Sequence, residues 1–399
     1  MIKPIKILTI LPYKENYTKS KAQAAAIWVY DFLKFSRYKK DTLVIGNTKG
    51  KNYLSKNYLN INIDNLGSKL SSSTIRYCNQ IIKRIKKINY DLIEIHNRPL
   101  VFEYLKRTID KKYILYFHND PLSMKGSVSK NERLNLLNKV DKIIFVSKWV
   151  QKRYFIGLDQ KLLNKTEVVY PSINKIKIFP KKKKWITFVG KLNSSKGYDI
   201  YKGAILKILD EFKDWTALSI GDESRDRPHI KHKRHKEIGF KTHKSVLSIL
   251  SKTQIAVVPS RWEEPFGRTA LESGSRGCAT IISNRGGLPE TVSHCLKLEK
   301  LDYINLYKKI KYLIINEKIR EKIQKNSFKE VLHIVKDNSN LIDSIRESLF
   351  FKINLNIKKN NLRIINIYNS GQKLSHRLYN ISLGKKFTNG FIRNGHDVL

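Results

Sequence analysis

Acid is scarce in this chain. Its 399 residues hold 34 Asp and Glu against 78 Lys and Arg, a formal net charge of +44. Net charge speaks about partners and not about fold. Nucleic-acid binding would need a basic stripe with base-reading or stacking residues. It weighs less here than an anionic membrane surface or a plain compositional bias toward Lys, Ile and Asn, and those two readings can hold together. Cysteine is nearly absent. Cys78, Cys278 and Cys295 are odd in number, far apart and without a C-x-x-C. That argues against a disulfide framework and a zinc site, and fits a reducing compartment, the cytoplasm. No stretch approaches 18 apolar residues, so no span is expected. The apolar run in MIKPIKILTILPYKEN is too short for a signal core and suits a first buried strand. What is present is apolar residues, 41% of the chain. They are enough for sizeable cores, and the length suits two domains.

Short β-branched runs alternate with longer amphipathic ones. Strands are expected at 5–11, 42–46, 91–96, 113–118, 142–147 and 167–170, with helices at 22–35 and 75–88. Strand–helix alternation means an α/β fold with a parallel sheet covered on both faces. Segment 170–185, with two prolines and a four-lysine run, reads as an exposed linker. The alternation restarts with strands at 185–190, 215–221, 254–260 and 279–283 and helices from about 197, at 243–252 and from 268. Helices at 301–316, 317–335 and 338–350 close this second unit. The expected domains are 1–172 and 183–352, each Rossmann-like. Residues 361–399 start afresh as strand, loop, helix and the beginning of a strand, in the layout of 5–46. They read as the opening of a further Rossmann-like unit, cut short; the alternative is an appendage to the main fold.

Ligands of open α/β sheets bind beyond the carboxyl ends of strands. Three loops of the second unit place suitable groups there. In FVGKLNSSKGYD (188–199) a strand ends at Gly190, and Lys191 and Lys196 precede a helix start near Gly197. Two lysines and a helix N-terminus suit a pyrophosphate; a chance pair in a lysine-rich chain is the other reading. In PSRWEEPFGRTALESGSRG (259–277) Glu264 follows a strand and Gly267 permits the turn. Arg268 and Thr269 open the next helix, and Glu272 follows on it. The carboxylates suit sugar and ribose hydroxyls, and the helix amides suit phosphate. The ordinary preference of acids for a first helical turn competes. In SNRGGLPETV (283–292) paired glycines precede Pro289. They let the chain pass beneath a base or ribose, or they make a plain β–α turn. His229, His232, His235 and His243 crowd HIKHKRHKEIGFKTH, but dense Lys and Arg would repel a cation. That stretch reads as a solvated basic loop, and no metal site is expected.

Together these loops resemble the C-terminal domain of the GT-B retaining glycosyltransferases of family 4. EEPFGRTALE matches the E-x7-E signature, GGLPE follows at the usual distance, and VGKLNSSKG looks like the phosphate loop. SIGD (219–222) and IGF (238–240) have counterparts too. The likeness covers about 4–350 and is strongest over 185–292. It implies two facing Rossmann-like domains. It implies retaining transfer of a hexose from a UDP- or GDP-sugar to a cell-envelope glycan or lipid-linked acceptor, as in polysaccharide or lipopolysaccharide biosynthesis. No cofactor or metal is implied, and no D-x-D occurs; cationic side chains and helix N-termini would stabilise the leaving diphosphate.

By motif, Glu264 would bind hydroxyls of the transferred sugar near the reacting centre, and Glu272 the nucleotide ribose. Lys191 and Lys196, after Gly190, would hold the diphosphate. Phe266, Gly267 and Arg268, with Thr269, would line the pocket through backbone groups. DLIEIHNRP and FHNDP resemble strand ends of the family's first domain. They would put His118 at the cleft as a catalytic residue beside Glu264, with His96 as second candidate. The loop YKENYTKSKAQAAA departs from the family, which usually has glycines there. Another GT-B activity, such as a nucleotide-sugar epimerase or a phosphorylase, and a non-catalytic basic binder remain open. The intact Glu264, Glu272, Lys191 and Lys196 favour transfer, and no phosphorylase lysine motif is present. The 75–88 stretch places Arg76, Lys83, Arg84, Lys86 and Lys87 beside Ile81, Ile82, Ile85 and Ile88. It reads as a sheet-covering helix, or as one resting on an anionic leaflet from the cytoplasmic side, as a peripheral membrane protein would.

Overall fold

The computed structural model describes residues 4–63, 72–223, 229–351, 363–364 and 397–398. The chain divides into two compact units, Met1–Asp343 and Ser344–Leu399. The first unit holds two parallel sheets. One is built from β1 (Ile7–Ile10), β2 (Thr42–Gly46), β3 (Tyr58–Asn60), β4 (Leu92–His96), β5 (Lys112–Phe117), β6 (Lys142–Phe145) and β7 (Thr166–Val168). Its order is β3-β2-β1-β4-β5-β6-β7. Helices α1 (Ala24–Phe35), α2 (Ser73–Ile85), α3 (Pro99–Thr108), α4 (Lys130–Lys139) and α5 (Lys148–Tyr154) connect these strands. The other sheet is built from β8 (Lys183–Val189), β9 (Thr216–Ile220), β10 (His235–Gly239), β11 (Thr253–Val258), β12 (Ala279–Ser283) and β13 (Cys295–Leu298). Its order is β10-β9-β8-β11-β12-β13. Helices α6 (Tyr198–Glu211), α7 (His243–Lys252), α8 (Arg268–Ser275), α9 (Tyr303–Ile315), α10 (Glu317–Lys329) and α11 (Val335–Ser348) accompany it.

Both sheets start in the middle and reverse direction once. The reversal falls between β1 and β4 in the first and between β8 and β11 in the second. Crevices at the carboxyl ends of such strand pairs take ligands. The fold is the two-sheet GT-B architecture that the sequence implies. Strands β1, β4 and β12 are buried throughout, as a doubly covered parallel sheet requires. Ser72, Ser129, Ser147, Thr242 and Asp302 cap α2, α4, α5, α7 and α9 with side-chain oxygens. Three strands escape the sequence pattern. β3 has only three residues, β13 reads CLKL, and β10 reads HKEIG with exposed Lys236 and Glu237. Short edge strands carry too few apolar residues to show a period.

Helix α2 ends at Ile85, short of the expected Ile88; its Tyr77, Cys78, Ile81 and Ile85 are buried, while Lys83 and Arg84, and Lys86 and Lys87 just past its end, are exposed. The helix therefore covers the sheet and still presents its charges. The linker is only partly exposed. Pro171, Ser172 and Ile173 are buried, and the Ile173 amide donates to the His333 carbonyl at 3.1 Å. Helix α11, grouped by sequence with the second domain, bonds to the first. Ser339 Oγ donates to the Phe32 carbonyl at 2.9 Å, and Asp343 accepts from Ser36 Oγ and the Arg37 amide, both at 2.8 Å. In the second unit Arg363–Ile364 pairs in parallel with Asp397–Val398; the rest of 361–399 lies outside the described residues.

Candidate active site

The loop after β8 is shaped by Asn193. Its Oδ1 accepts from the Lys196 amide at 3.2 Å and from Ser195 Oγ at 2.8 Å. Gly190 closes the strand by donating to the Ile220 carbonyl at 3.0 Å. Gly197 then opens α6 with φ +73°. A Cβ there would lie 2.0 Å from the Pro259 carbonyl oxygen, so only glycine lets the loop pack against the β11 end. Lys191 is exposed, and its side chain makes no ion pair or hydrogen bond among the described residues. Lys196 turns inward. Its Nζ donates to Glu264 Oε1 at 2.6 Å and lies 4.5 Å above the Trp262 ring.

Glu264 is 8% exposed. Its loop hangs from the Ser195 carbonyl, which accepts from the Arg261 and Trp262 amides at 3.0 Å each. On the other side the Gly287 amide donates to the Glu264 carbonyl at 2.6 Å. A Cβ on Gly286 would lie 2.1 Å from that same oxygen. The paired glycines thus allow the close approach of two protein loops.

Glu272 is buried on α8. Its Oε1 accepts from His243 Nε2 at 2.9 Å and from Arg268 Nε at 3.3 Å. Burial works to raise its pKa, but His243 and Arg268 outweigh it and hold the carboxyl below its usual value. All these donors fall on Oε1. Among the described residues no side chain or amide donates to Oε2 of Glu272, or to Oε2 of Glu264. Each carboxylate is therefore anchored by one oxygen and presents the other.

The histidine-rich stretch is a solvated basic loop only in part: His229, Lys231 and Lys233 are exposed outside regular structure, while His235 and His243 lie in a strand and a helix. His243 opens α7 and clasps Glu272; sequence reasoning missed it because the partner lies on another helix. His235 belongs to β10, where Ser219 Oγ lies 2.8 Å from Nε2 and burial pulls the ring's pKa down. His232 lies 3.4 Å from Asp210. These three rings have separate partners.

In the first domain His96 ends β4 and His118 follows β5. His96 Nδ1 and His118 Nε2 lie 2.8 Å apart and share one hydrogen. His96 stacks on Tyr116 at 4.3 Å, and Trp28 of α1 meets both imidazoles edge-on at 5.5 and 5.4 Å. Burial, with His96 adding to it, holds His118 well below the usual imidazole range. The His118 amide donates to Asn97 Oδ1 at 3.2 Å. The glycine-free first loop supplies Glu15, whose Oε1 accepts from the Ala26 amide at 3.1 Å and so caps the start of α1.

The two domains meet beside this cleft. Ser147 Oγ donates to the Pro265 carbonyl at 2.5 Å. Glu290 of the GGLPE segment accepts from the Lys148 and Trp149 amides at 2.8 and 2.9 Å, capping α5, and from the Tyr170 hydroxyl at 2.9 Å. Phe266 is buried, its ring 5.9 Å from Tyr170 and 5.5 Å from His333. Only its backbone is left for a ligand. Gly267 and the half-buried Thr269 flank Arg268 at the start of α8. The structure thus brings Lys196 to Glu264 and Arg268 to Glu272. The described contacts of His118 are with the first domain's own residues.

The family described as Glycosyl transferases group 1 matches residues 170–330, the stretch that holds both carboxylates. That stretch, about two fifths of the chain, is a group 1 glycosyl transferase domain. Group 1 is the GT4 family of GT-B enzymes that move a sugar from a nucleotide sugar. The transferase is similar to spore coat protein SA of Bacillus subtilis (strain 168), 26% identical over 250 residues. That match spans 54% of the present chain and 66% of the spore coat protein, about two thirds of its length. It is also similar to the putative glycosyltransferase YtcC of the same organism, 24% identical over 292 residues, with 64% and 71% covered. Among solved structures it superimposes on HepE of Anabaena in complex with UDP-glucose. The TM-score is 0.69 with 16% identity, covering 86% of this chain and 99% of that one. That likeness shows the shared fold. Among the described residues no helix is long and apolar enough to cross a membrane.

Proposed function

We propose that this transferase takes a hexose from a UDP- or GDP-sugar held by residues 185–292 and passes it, with retention, to a hydroxyl of a cell-envelope glycan or lipid-linked acceptor. The observation that carries the reading is the pair of anchored carboxylates at the β8/β11 reversal. Glu264 is fixed by Lys196, Glu272 by His243 and Arg268, and each keeps one oxygen for a ligand hydroxyl. In this reading Glu272 accepts from the ribose and Glu264 from the transferred sugar. Lys191, unpaired and exposed, and Lys196 meet the diphosphate, helped by the amides at the start of α8. Cations and amides preorganised at the leaving group stabilise the charge that develops there. Neutral His118 is suited to a sugar hydroxyl, as donor or acceptor according to its tautomer.

HepE was solved with UDP-glucose, which makes UDP-glucose the first donor to assay. Release of UDP or GDP from a panel of nucleotide hexoses, with and without EDTA, tests the proposal. Release unaffected by EDTA is expected. Interconversion of sugars without loss of the nucleotide would instead mark an epimerase, and inertness toward every donor a binding protein. The exposed Lys83 and Arg84 of α2, with Lys86 and Lys87 just past its end, favour an anionic membrane surface as a partner. Each such charge contributes about 1 kcal/mol near anionic lipid. Co-sedimentation with anionic but not zwitterionic vesicles, weakening with salt, is expected.

A further inference from the structure

Arg268 stands where the two domains and the donor carboxylate meet, and its side chain is only 15% exposed. Its Nε donates to Glu272 Oε1 at 3.3 Å. Its Nη2 lies 3.5 Å from Asp31 Oδ2, on helix α1 of the other domain. Its Nη1 is enclosed and has no hydrogen-bond partner among the described residues. An enclosed guanidinium nitrogen without an acceptor is costly, so the group is held by the two carboxylates on either side of it. Asp31 is itself buried, with Lys34 Nζ at 3.0 Å as its other ionic partner. Three residues earlier on the same face of α1, Trp28 packs edge-on against His96 and His118. A chain of contacts thus runs from His243 through Glu272, Arg268 and Asp31 to the helix that backs the histidine pair.

We propose that Arg268 is a positioning residue that couples Glu272 to helix α1 through Asp31, so that donor binding and the setting of the first domain are energetically linked. The inference rests on the reading of Glu272 as a nucleotide-ribose ligand. Asp31 pulls the guanidinium toward the first domain and confines its hydrogen bonding with Glu272 to Oε1. Without Asp31 the guanidinium swings fully onto Glu272 and engages both oxygens, since a carboxylate accepts Arg in bidentate fashion. The oxygen that would receive the ribose hydroxyl is then taken. Arg268 in this role touches no reacting atom.

The test is binding of UDP, with GDP in parallel, to the full chain by calorimetry. Asp31→Asn is expected to weaken the better nucleotide about fivefold and Arg268→Gln about tenfold. The double variant is expected to stay within about twofold of Arg268→Gln alone, because coupled groups are non-additive. Lys34→Met, which removes Asp31's other partner, leaves binding unchanged. In the wild type, nucleotide slows hydrogen exchange in α1 as well as in α8; this arm does not depend on any variant folding. Additive losses, an Asp31→Asn variant that binds like wild type, or an α1 indifferent to nucleotide overturns the coupling while the donor site stands. A wild type that binds neither nucleotide overturns the donor-site reading and this proposal together.

Discussion

The two sheets share a strand order and reverse at equivalent places, yet they load their reversal points with opposite chemistry. At β8/β11 the groups are charged and matched across loops: Lys196 with Glu264, and Arg268 and His243 with Glu272. At β1/β4 they are rings packed on one another: Trp28, Tyr116 and the His96–His118 pair. Even the carboxylate there, Glu94, is buried and accepts from two hydroxyls, Thr9 Oγ1 and Tyr116 Oη, both at 2.8 Å. The lesson is that topology supplies a crevice and the side chains decide what it can hold. One crevice gathers charges matched in pairs across loops, and the other gathers rings among which burial pushes His118 well below the usual imidazole range.

The largest effect should come from breaking the charged side. Lys196→Ala strips the cation from the nearly buried Glu264 and should lower turnover about a hundredfold, roughly 2.7 kcal/mol. It should also lower the melting temperature, because a carboxylate left unpaired there is poorly solvated. Turnover within threefold of wild type would show that this crevice does not need its cation. Glu264→Gln keeps an oxygen for Lys196 and so should melt close to wild type, while turnover falls at least about tenfold, roughly 1.4 kcal/mol. A folded variant with ordinary kinetics removes Glu264 from the site. Lys191 is exposed and unpaired, so Lys191→Ala should leave the melting temperature unchanged and lower kcat/KM about tenfold. A change in stability without a change in kcat/KM would make it structural.

The smallest effect sharpens the contrast by pH. His118 has its folded-state pKa pushed below the ordinary 6.5, so the unfolded state binds the proton first. Stability should therefore fall as pH drops below about 6.5, by at most about 1.4 kcal/mol per pH unit for this group. Glu272 has its folded-state pKa below the ordinary 4.5. Its contribution is present above that value and is lost only as pH falls further, through the lowered pKa. Denaturant titrations from pH 8 to 4 should show His118→Phe flattening the slope between about 6.5 and 5, with Glu272→Gln indistinguishable from wild type over that interval. Equal slopes in the wild type and His118→Phe would mean that the imidazole is not held neutral by the fold.

Much of this was written locally. Buried parallel strands are unbroken apolar runs, so β1, β4, β5, β6, β8, β11 and β12 stand out in the sequence. The carboxylates Glu264 and Glu272 belong to one loop and the helix it feeds, so their motif survives as a contiguous string. What tertiary structure decided is every partner that arrives from elsewhere. His243 reaches Glu272 from a helix 29 positions away, and Glu290 reaches the amides of α5 across 141 and 142 positions. Asp31 meets Arg268 only because the domains dock as they do. Helix α11 and the 170–173 segment likewise show their true neighbours only once folded. The physical reason is plain. Apolar periodicity records which face of an element is buried, which the chain decides within a few residues. Ion pairs, caps and hydrogen bonds between loops depend on the order of strands in the sheets and on the docking of two domains, and no local pattern encodes either.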